Sequence, residues 1–348
     1  MAIKKIVTQD LIQLLKTTPV FDVRSPAEFL HAHIPGSHSL PLFSDQERAE
    51  VGTLYKQKGK TFAVKQGLDF FGPKMKPIIE QVELILKQLK KQNSSVIVHC
   101  WRGGMRSAGV AWLLDLYGFD VFILVGGYKA YRSWVLEQFS KPYEINVLGG
   151  FTGSAKTEIL TQLQSKGQSI IDLEGLAHHK GSAFGGLGQP QQPTQEMFEN
   201  KLALELYYKN KNSFWLEDES QRIGVLNIPH QLWATIRKNK ILFIDIPFDE
   251  RLELITKQYG VFPVEKLTEA VLRIQKRFGP NETKMTIAFL AANNIKAAFE
   301  LLLRYYDREY DKSMHKRENL ELLLKKITSS TTDVQKNAIT ILQTISNQ

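Results

Sequence analysis

The chain has 348 residues, 43% hydrophobic and 23% charged, enough for two or three domains that each bury a core, and this balance excludes general disorder. A mean hydropathy of -0.23 and the lack of any run of about 18 apolar residues exclude a membrane span. The start MAIKKIVTQD lacks the apolar core of a secretory signal, so a soluble, cytoplasmic protein is expected. The single cysteine, Cys100, excludes an internal disulfide and a four-cysteine zinc site. The net charge of +9 is uneven: +6 over residues 1–138, -1 over 139–262 and +4 over 263–348. Basic ends around a neutral middle suit a polyanion such as RNA, although no aromatic-rich RNA module is visible.

In chain order, PVFDV, SVIVHC and VFILVGG are short β-branched runs separated by the amphipathic stretches QVELILKQLKKQ and SAGVAWLLDLYG. This alternation predicts a parallel sheet with crossover helices over 1–138. The pattern restarts at EINVLGG, with strands predicted at QSIIDLEG, SFWLEDES and KILFIDIP and helices at KTEILTQLQSK, QEMFENKLALELYYKN and DERLELITKQYG, giving a second α/β domain over 139–262. From 263 to 348 the predicted strands stop. LTEAVLRIQKRFG, NNIKAAFELLLRYYDREYDKSM and TDVQKNAITILQTI have helical period, so a helical C-terminal lobe is expected.

Cys100 ends the strand SVIVH and is followed by WRGGMRSAGVAWLL, so a Gly-containing loop leads into a helix. Loop N–H groups and the helix N-terminus form an anion cradle, and the charges of Arg102 and Arg106 add to it, lowering a thiol's pKa and holding an oxyanion against the sulfur. Cys100, Arg102 and Arg106 are the predicted catalytic residues. Trp101, Gly103, Gly104, Met105 and Ser107 complete the loop, and His99 reads as a structural neighbour.

The segments FDVRSPAEFLHAHIPGSHSLPL and VIVHCWRGGMRS together resemble a rhodanese domain. In that resemblance Asp22 and Arg24 open one conserved turn, His33 to Gly36 form the next, and Cys100 is the sulfur- or selenium-carrying nucleophile. Common sulfurtransferases of the family place four residues between the cysteine and the loop arginine. Here five, Trp101 to Met105, precede Arg106, as in Cys-x5-Arg phosphatases, and the wider loop suits a tetrahedral phosphate-like group. A phosphatase needs an acid for its leaving alcohol, and none is evident nearby.

The second motif is Gly149-Gly150-Phe151-Thr152-Gly153-Ser154-Ala155-Lys156-Thr157, between the strand EINVL and the helix TEILTQLQ. Strand, Gly-rich loop and a helix led by Lys-Thr make a phosphate-cradling P-loop. Gly150, Thr152, Gly153, Ser154, Ala155, Lys156 and Thr157 are the predicted diphosphate-binding residues. Ala155 stands where Gly is usual, which is costly only if the position requires a positive φ.

Downstream, Asp172, Glu174, His178 and Lys180 lie in a polar loop expected at the phosphate face. The His178–His179 pair alone is not taken as a metal site. The stretch Glu217-Asp218-Glu219-Ser220-Gln221-Arg222 ends the next strand at the same face, and its acids either hold Mg²⁺ or salt-bridge Arg222. The sequence leaves both open.

A rhodanese domain followed by this P-loop, with DLEGLAHHKGSAFG, EDESQRIG and the insert segments LPLFSDQERAEVGTLYKQKG and GLDFFGP, is similar to the tRNA 2-selenouridine synthases over roughly residues 1–250. The resemblance implies conversion of wobble-position 2-thiouridine to 2-selenouridine with selenophosphate, through an S-geranyl intermediate made from geranyl diphosphate. It implies tRNA as partner, a selenophosphate supplier upstream, and no tightly bound cofactor, with Mg²⁺ open. Selenophosphate is a tetrahedral anion for the Cys100 loop; geranyl diphosphate offers a diphosphate to the P-loop. In the family an Arg is usual where Lys180 stands, which weakens a bidentate phosphate contact.

The basic ends are expected to grip the tRNA. Candidate contacts in the helical end are Arg273, Lys276, Arg277 and Arg304, the first three on one helix at spacings of three and four. Two other classes fit parts of the pattern: a Cys-x5-Arg phosphatase, and a noncatalytic rhodanese adaptor, each fused to a nucleotide-binding P-loop domain. Adaptors often lose the cysteine, whereas this chain keeps it with both loop arginines.

Overall fold

The computed structural model describes residues 3–91, 94–209 and 213–346. Gln92 and Asn210, the last residues of two predicted helical stretches, lie outside the described residues. The chain is an α/β protein that divides into two compact units, Met1–Glu137 and Gln138–Gln348. Among the described residues no helix is long and apolar enough to cross a membrane.

The first unit holds β1 (Lys4–Ile6), β2 (Val20–Asp22), β3 (His38–Ser39), β4 (Ser95–His99) and β5 (Asp120–Leu124) in a parallel sheet of order β1-β5-β4-β2-β3. Val96, Ile97 and Val98 of the central β4 are fully buried, and each such side chain stabilises the fold by roughly 2 kcal/mol. The helix Met75–Gln88 faces this core with Ile78, Val82 and Leu86, a stripe of four-residue spacing. The segments LPLFSDQERAEVGTLYKQKG and GLDFFGP build the helices Asp45–Lys58 and Lys60–Phe71. Ser44 and Glu47 cap the first reciprocally, at 3.2 and 2.7 Å. The helix Met105–Tyr117 buries Ser107, Val110, Ala111, Leu113 and Leu114, which fixes the loop between it and β4.

The second unit holds β6 (Ile145–Gly149), β7 (Phe214–Glu217), the antiparallel pair β8 (Arg222–Ile223) and β9 (Leu226–Asn227), β10 (Ile241–Asp245) and β11 (Leu324–Thr328). The parallel order β11-β10-β6-β7 places the P-loop strand β6 beside β7. The fold differs from the sequence expectation at two segments. QSIIDLEG makes only a single bridge, Ile170 to Trp215, because Asp172 then caps the helix Leu173–Ala177, accepting from Gly175 N at 2.7 Å. The C-terminal segment is helical but not free of strands: β11 joins the P-loop sheet, and Ala338 and Ile341 of the helix Val334–Ser346 pack in one core with Ile159 and Leu163 of the helix Lys156–Ser165. The helices Phe248–Tyr259, Val264–Phe278, Pro280–Ala291 and Ile295–His315 form a second core around Leu267, Val271, Phe299 and Leu302.

Candidate active sites

Cys100 sits at the C-terminal end of β4, 3% exposed. Its Sγ accepts the Gly104 N–H at 3.3 Å and lies 3.2 Å from the Ser107 hydroxyl, which is also 3.1 Å from the Gly104 carbonyl. With the sulfur protonated, the thiol donates to Ser107 and the hydroxyl to Gly104; with the sulfur ionised, the hydroxyl turns to the thiolate. Burial pushes the thiol up, but the hydrogen bonds from Ser107 and Gly104 and the charge of Arg106 outweigh it and hold the pKa below the ordinary value. The loop rests on the turn after β5: Tyr128 N and Lys129 N donate to the carbonyls of Cys100 and Trp101 at 2.8 and 2.9 Å. A Cβ on Gly127, at φ +58°, would meet the Cys100 carbonyl at 2.3 Å, so only glycine fits there.

Asp22 and Arg24 do not touch the sulfur. They form a buried ion pair, with Arg24 also on the Ala32 carbonyl at 2.7 Å and its guanidinium 3.8 Å from the centre of the Tyr128 ring. Their role is to hold the platform under the loop. His99 lies 3.8 Å from Asp22, and burial pushes its pKa down, which keeps it neutral. Arg106 gives its Nη1 to Glu28 at 2.7 Å, so it is not the free loop charge that the motif suggests. Burial raises Glu28, and Arg106 with the Ser25 N–H outweighs that, holding the carboxyl below its usual value and ionised. Arg102, Trp101 and Met105 are exposed at the loop rim.

In the second unit Lys156 Nζ donates to the Gly150 carbonyl at 3.0 Å, and Thr157 Oγ1 to Glu174 at 3.2 Å. Ala155 has φ +54° and ψ +35°, so the costly alternative holds: a left-handed residue with a Cβ carries about 1 kcal/mol of strain. Of the predicted backbone donors, Gly150 N–H is taken by the Tyr310 hydroxyl at 3.4 Å and Ser154 N–H by the Phe151 carbonyl at 3.2 Å. Ser154 Oγ is buried without a partner. Phe151 stands edge-on to Phe243 and Tyr310, at 5.2 and 5.7 Å between ring centres. Arg251, nearly fully buried, donates to the Thr152 carbonyl at 3.0 Å and is held by both oxygens of Asp307.

Glu174, Glu217 and Glu219 bring carboxylate oxygens within 4.8 Å of one another. Burial and mutual repulsion push all three above the usual carboxylate range, and the charge of Lys156 opposes this. Glu217 is 1% exposed and its Oε1 has no hydrogen-bond partner. Three hard oxygen donors beside the Thr157 hydroxyl fit a Mg²⁺ ion.

A family model described as the tRNA 2-selenouridine synthase AAA domain matches residues 143–338, and one described as a rhodanese-like domain matches residues 7–133. The tRNA 2-selenouridine synthase of Aeromonas salmonicida (strain A449) is 34% identical over 339 residues, spanning 87% of this chain and 89% of that one. The chain belongs to the tRNA 2-selenouridine synthase family. Another member, from Pseudomonas savastanoi pv. phaseolicola (strain 1448A / Race 6), is 36% identical over 290 residues, 76% of each chain. A Saccharomyces cerevisiae homolog of single-domain rhodanese and a phosphatase catalytic domain is 15% identical, covers 38% of this chain and 80% of its own, and has a TM-score of 0.24, too low to carry an argument.

Against the family motifs, several candidates have local duties. Asp172 is a helix cap, and His178 closes the same helix with Nδ1 2.9 Å from the Gln191 carbonyl. Lys180 N bonds the Gly185 carbonyl at 2.9 Å, while Gly181 beside it lies against the carboxylates of Glu174 and Glu219. Asp218 accepts from the Tyr310 hydroxyl at 2.7 Å and pairs with Arg317 rather than with Arg222. Arg222 donates instead to the Gly224 carbonyl at 2.9 Å. Arg273, Lys276 and Arg277 are exposed, whereas Arg304 is tied to Glu300 at 2.8 Å and lies over the Phe248 ring. The motif reading missed Arg251, Asp307, Tyr310 and Arg317, which brace the P-loop from far along the chain. It also passed over Glu28, legible only as the third residue of a capping box.

Proposed function

We propose that this protein replaces the sulfur of wobble 2-thiouridine in tRNA with selenium in two steps. In the first, the thiouracil sulfur attacks the first carbon of geranyl diphosphate; the C–O bond breaks, diphosphate leaves with the electron pair, and the base loses its N3 proton. The P-loop suits the leaving group: Lys156 moves from the Gly150 carbonyl onto the diphosphate, and the helix N-terminus at Lys156–Ser165 faces its charge. When bound, Mg²⁺ neutralises charge on the diphosphate. Glu174, Glu217 and Glu219 would hold it.

In the second step selenium bonds to C2 of the base, the C–S bond breaks, and geranylthiol departs. Selenophosphate is the selenium donor, and the Cys100 loop receives it beside the exposed Arg102, with the charge of Arg106 held near the sulfur by Glu28. The observation that carries this reading is the pairing in one chain of a cysteine loop with five residues before its arginine and a P-loop whose Lys156 and following helix N-terminus suit a diphosphate. A phosphatase acting on alkyl phosphates is disfavoured by Glu28, which is ionised on Arg106 and cannot serve as the acid. The test is nucleoside analysis of bulk tRNA from cells lacking the protein. Loss of 2-selenouridine with build-up of 2-thiouridine supports the reading; unchanged 2-selenouridine refutes it.

A further inference from the structure

The residue after Cys100 leaves an aromatic ring in water. Trp101 is 38% exposed, whereas the neighbouring rings of Tyr128, Tyr131 and Trp134 are buried. An indole in water contributes little to folding, and tryptophan is enriched where proteins meet partners. The ring is also held in place. The Cys100 and Trp101 carbonyls accept the Tyr128 and Lys129 N–H groups at 2.8 and 2.9 Å, so two consecutive peptide units of the loop are clamped to the start of the helix Gly127–Gln138. The indole packs on the Tyr128 ring at 5.7 Å between centres, tilted by 40°, and Tyr128 carries the Arg24 guanidinium 3.8 Å from its centre. Arg24 is fixed in turn by Asp22. Trp101 is thus the outermost member of a stack whose inner members, Tyr128, Arg24 and Asp22, are buried.

We propose that Trp101 is the platform on which the unpaired wobble base of the tRNA stacks, adding one more layer to Arg24, Tyr128 and Trp101, and that the exposed Lys129 meets a phosphate flanking that base. The inference rests on the reading that the base is brought to Cys100.

Stacking is the form of recognition that this reaction tolerates. Every base has a π face, whatever its edge carries, so an exposed and pre-positioned indole receives 2-thiouracil and its S-substituted form alike. Hydrogen bonds to the base edge would have to change when N3 loses its proton and when the C2 substituent is exchanged. Contact through the ring face leaves that edge open to chemistry. Because Trp101 and Cys100 are consecutive, one peptide unit ties the position of the base to that of the sulfur. The clamps and the buried layers below the indole fix it before the base arrives, which lowers the ordering cost of binding. The charge of +6 over residues 1–138 favours a polyanion as the source of the stacked ring.

The test uses the full chain and an anticodon stem-loop RNA with 2-aminopurine at the wobble position, whose fluorescence falls when the base stacks. Trp101→Phe keeps a ring, and Trp101→Leu keeps apolar volume without one. At saturation, wild type should quench the probe, Trp101→Phe should keep most of the quenching, and Trp101→Leu should lose it. Trp101→Leu should also bind on the order of ten- to a hundred-fold more weakly, with circular dichroism unchanged. A probe placed in the stem should respond equally in all three. Lys129→Ala should reduce the salt slope of binding by about one; an unchanged slope would overturn the phosphate contact. Full quenching by Trp101→Leu, or equal loss in Trp101→Phe and Trp101→Leu, overturns the platform and leaves the synthase reading intact. A wild type that makes no 2-selenouridine from 2-thiouridine tRNA overturns that reading instead.

Discussion

The hydroxyl of Tyr310 accepts the backbone N–H of Gly150 at 3.4 Å, joining the P-loop to a helix 160 residues away in sequence. The same hydroxyl donates to Asp218 at 2.7 Å, whose other oxygen meets the buried Arg317. Tyr310→Phe removes both bonds and leaves a buried N–H unpaired. It should cost about 1–2 kcal/mol and lower the midpoint of the second unit by about 3–6 °C, read by calorimetry. A midpoint within error of wild type would mean that the helical end does not brace the loop.

Ala155 occupies a left-handed conformation where glycine would be unstrained. Ala155→Gly should therefore stabilise the second unit by about 1 kcal/mol, against the usual loss when glycine replaces alanine. Urea unfolding checks the sign. Destabilisation would contradict the backbone geometry of the loop.

The glutamate cluster makes stability depend on pH and on divalent cations. Burial and repulsion raise the folded-state pKa values of Glu174, Glu217 and Glu219, so the folded protein retains protons that the unfolded chain releases. Their favourable contribution is complete below the ordinary carboxylate range and is lost as pH rises through the raised values. Thermal midpoints in EDTA should fall from pH 6 to pH 8, Mg²⁺ should restore more at pH 8 than at pH 6, and Glu217→Gln should flatten the profile. A midpoint indifferent to pH and Mg²⁺ in wild type would dissolve the cluster as a cation site.

How much of this was legible in the sequence depended on the range of the interactions. β4 with Cys100 and β6 with the P-loop were readable because strand, glycines and helix are consecutive. QSIIDLEG looked like a strand because its apolar pair is visible and the capping role of Asp172 is not. β11 was hidden because LKKIT buries only Ile327 fully and carries two exposed lysines, the pattern of an edge strand. Arg251 and Tyr310 looked like ordinary polar positions of amphipathic helices, and only the folded chain carries them to the phosphate loop.

Binding of tRNA should be electrostatic. Arg273, Lys276 and Arg277 are exposed on the helix Val264–Phe278, and Lys276 borders an open depression with Lys284 of the next helix. Wild-type affinity should weaken steeply with salt, and the triple Arg273/Lys276/Arg277→Ala variant should bind more weakly, with a slope reduced by about one per lost phosphate contact. Filter binding across a salt series reads both quantities. Unchanged affinity and slope in the variant would remove this helix from the tRNA path.

The most direct test of the two-step account is mass spectrometry of nucleosides from 2-thiouridine tRNA incubated with the protein, geranyl diphosphate and selenophosphate. Wild type should yield 2-selenouridine, and Cys100→Ser should stop at S-geranyl-2-thiouridine. Lys156→Ala should leave 2-thiouridine, with geranyl diphosphate bound about ten- to a hundred-fold more weakly. Formation of 2-selenouridine by Cys100→Ser, or unimpaired geranylation by Lys156→Ala, would contradict the division of the chemistry between the cysteine loop and the P-loop.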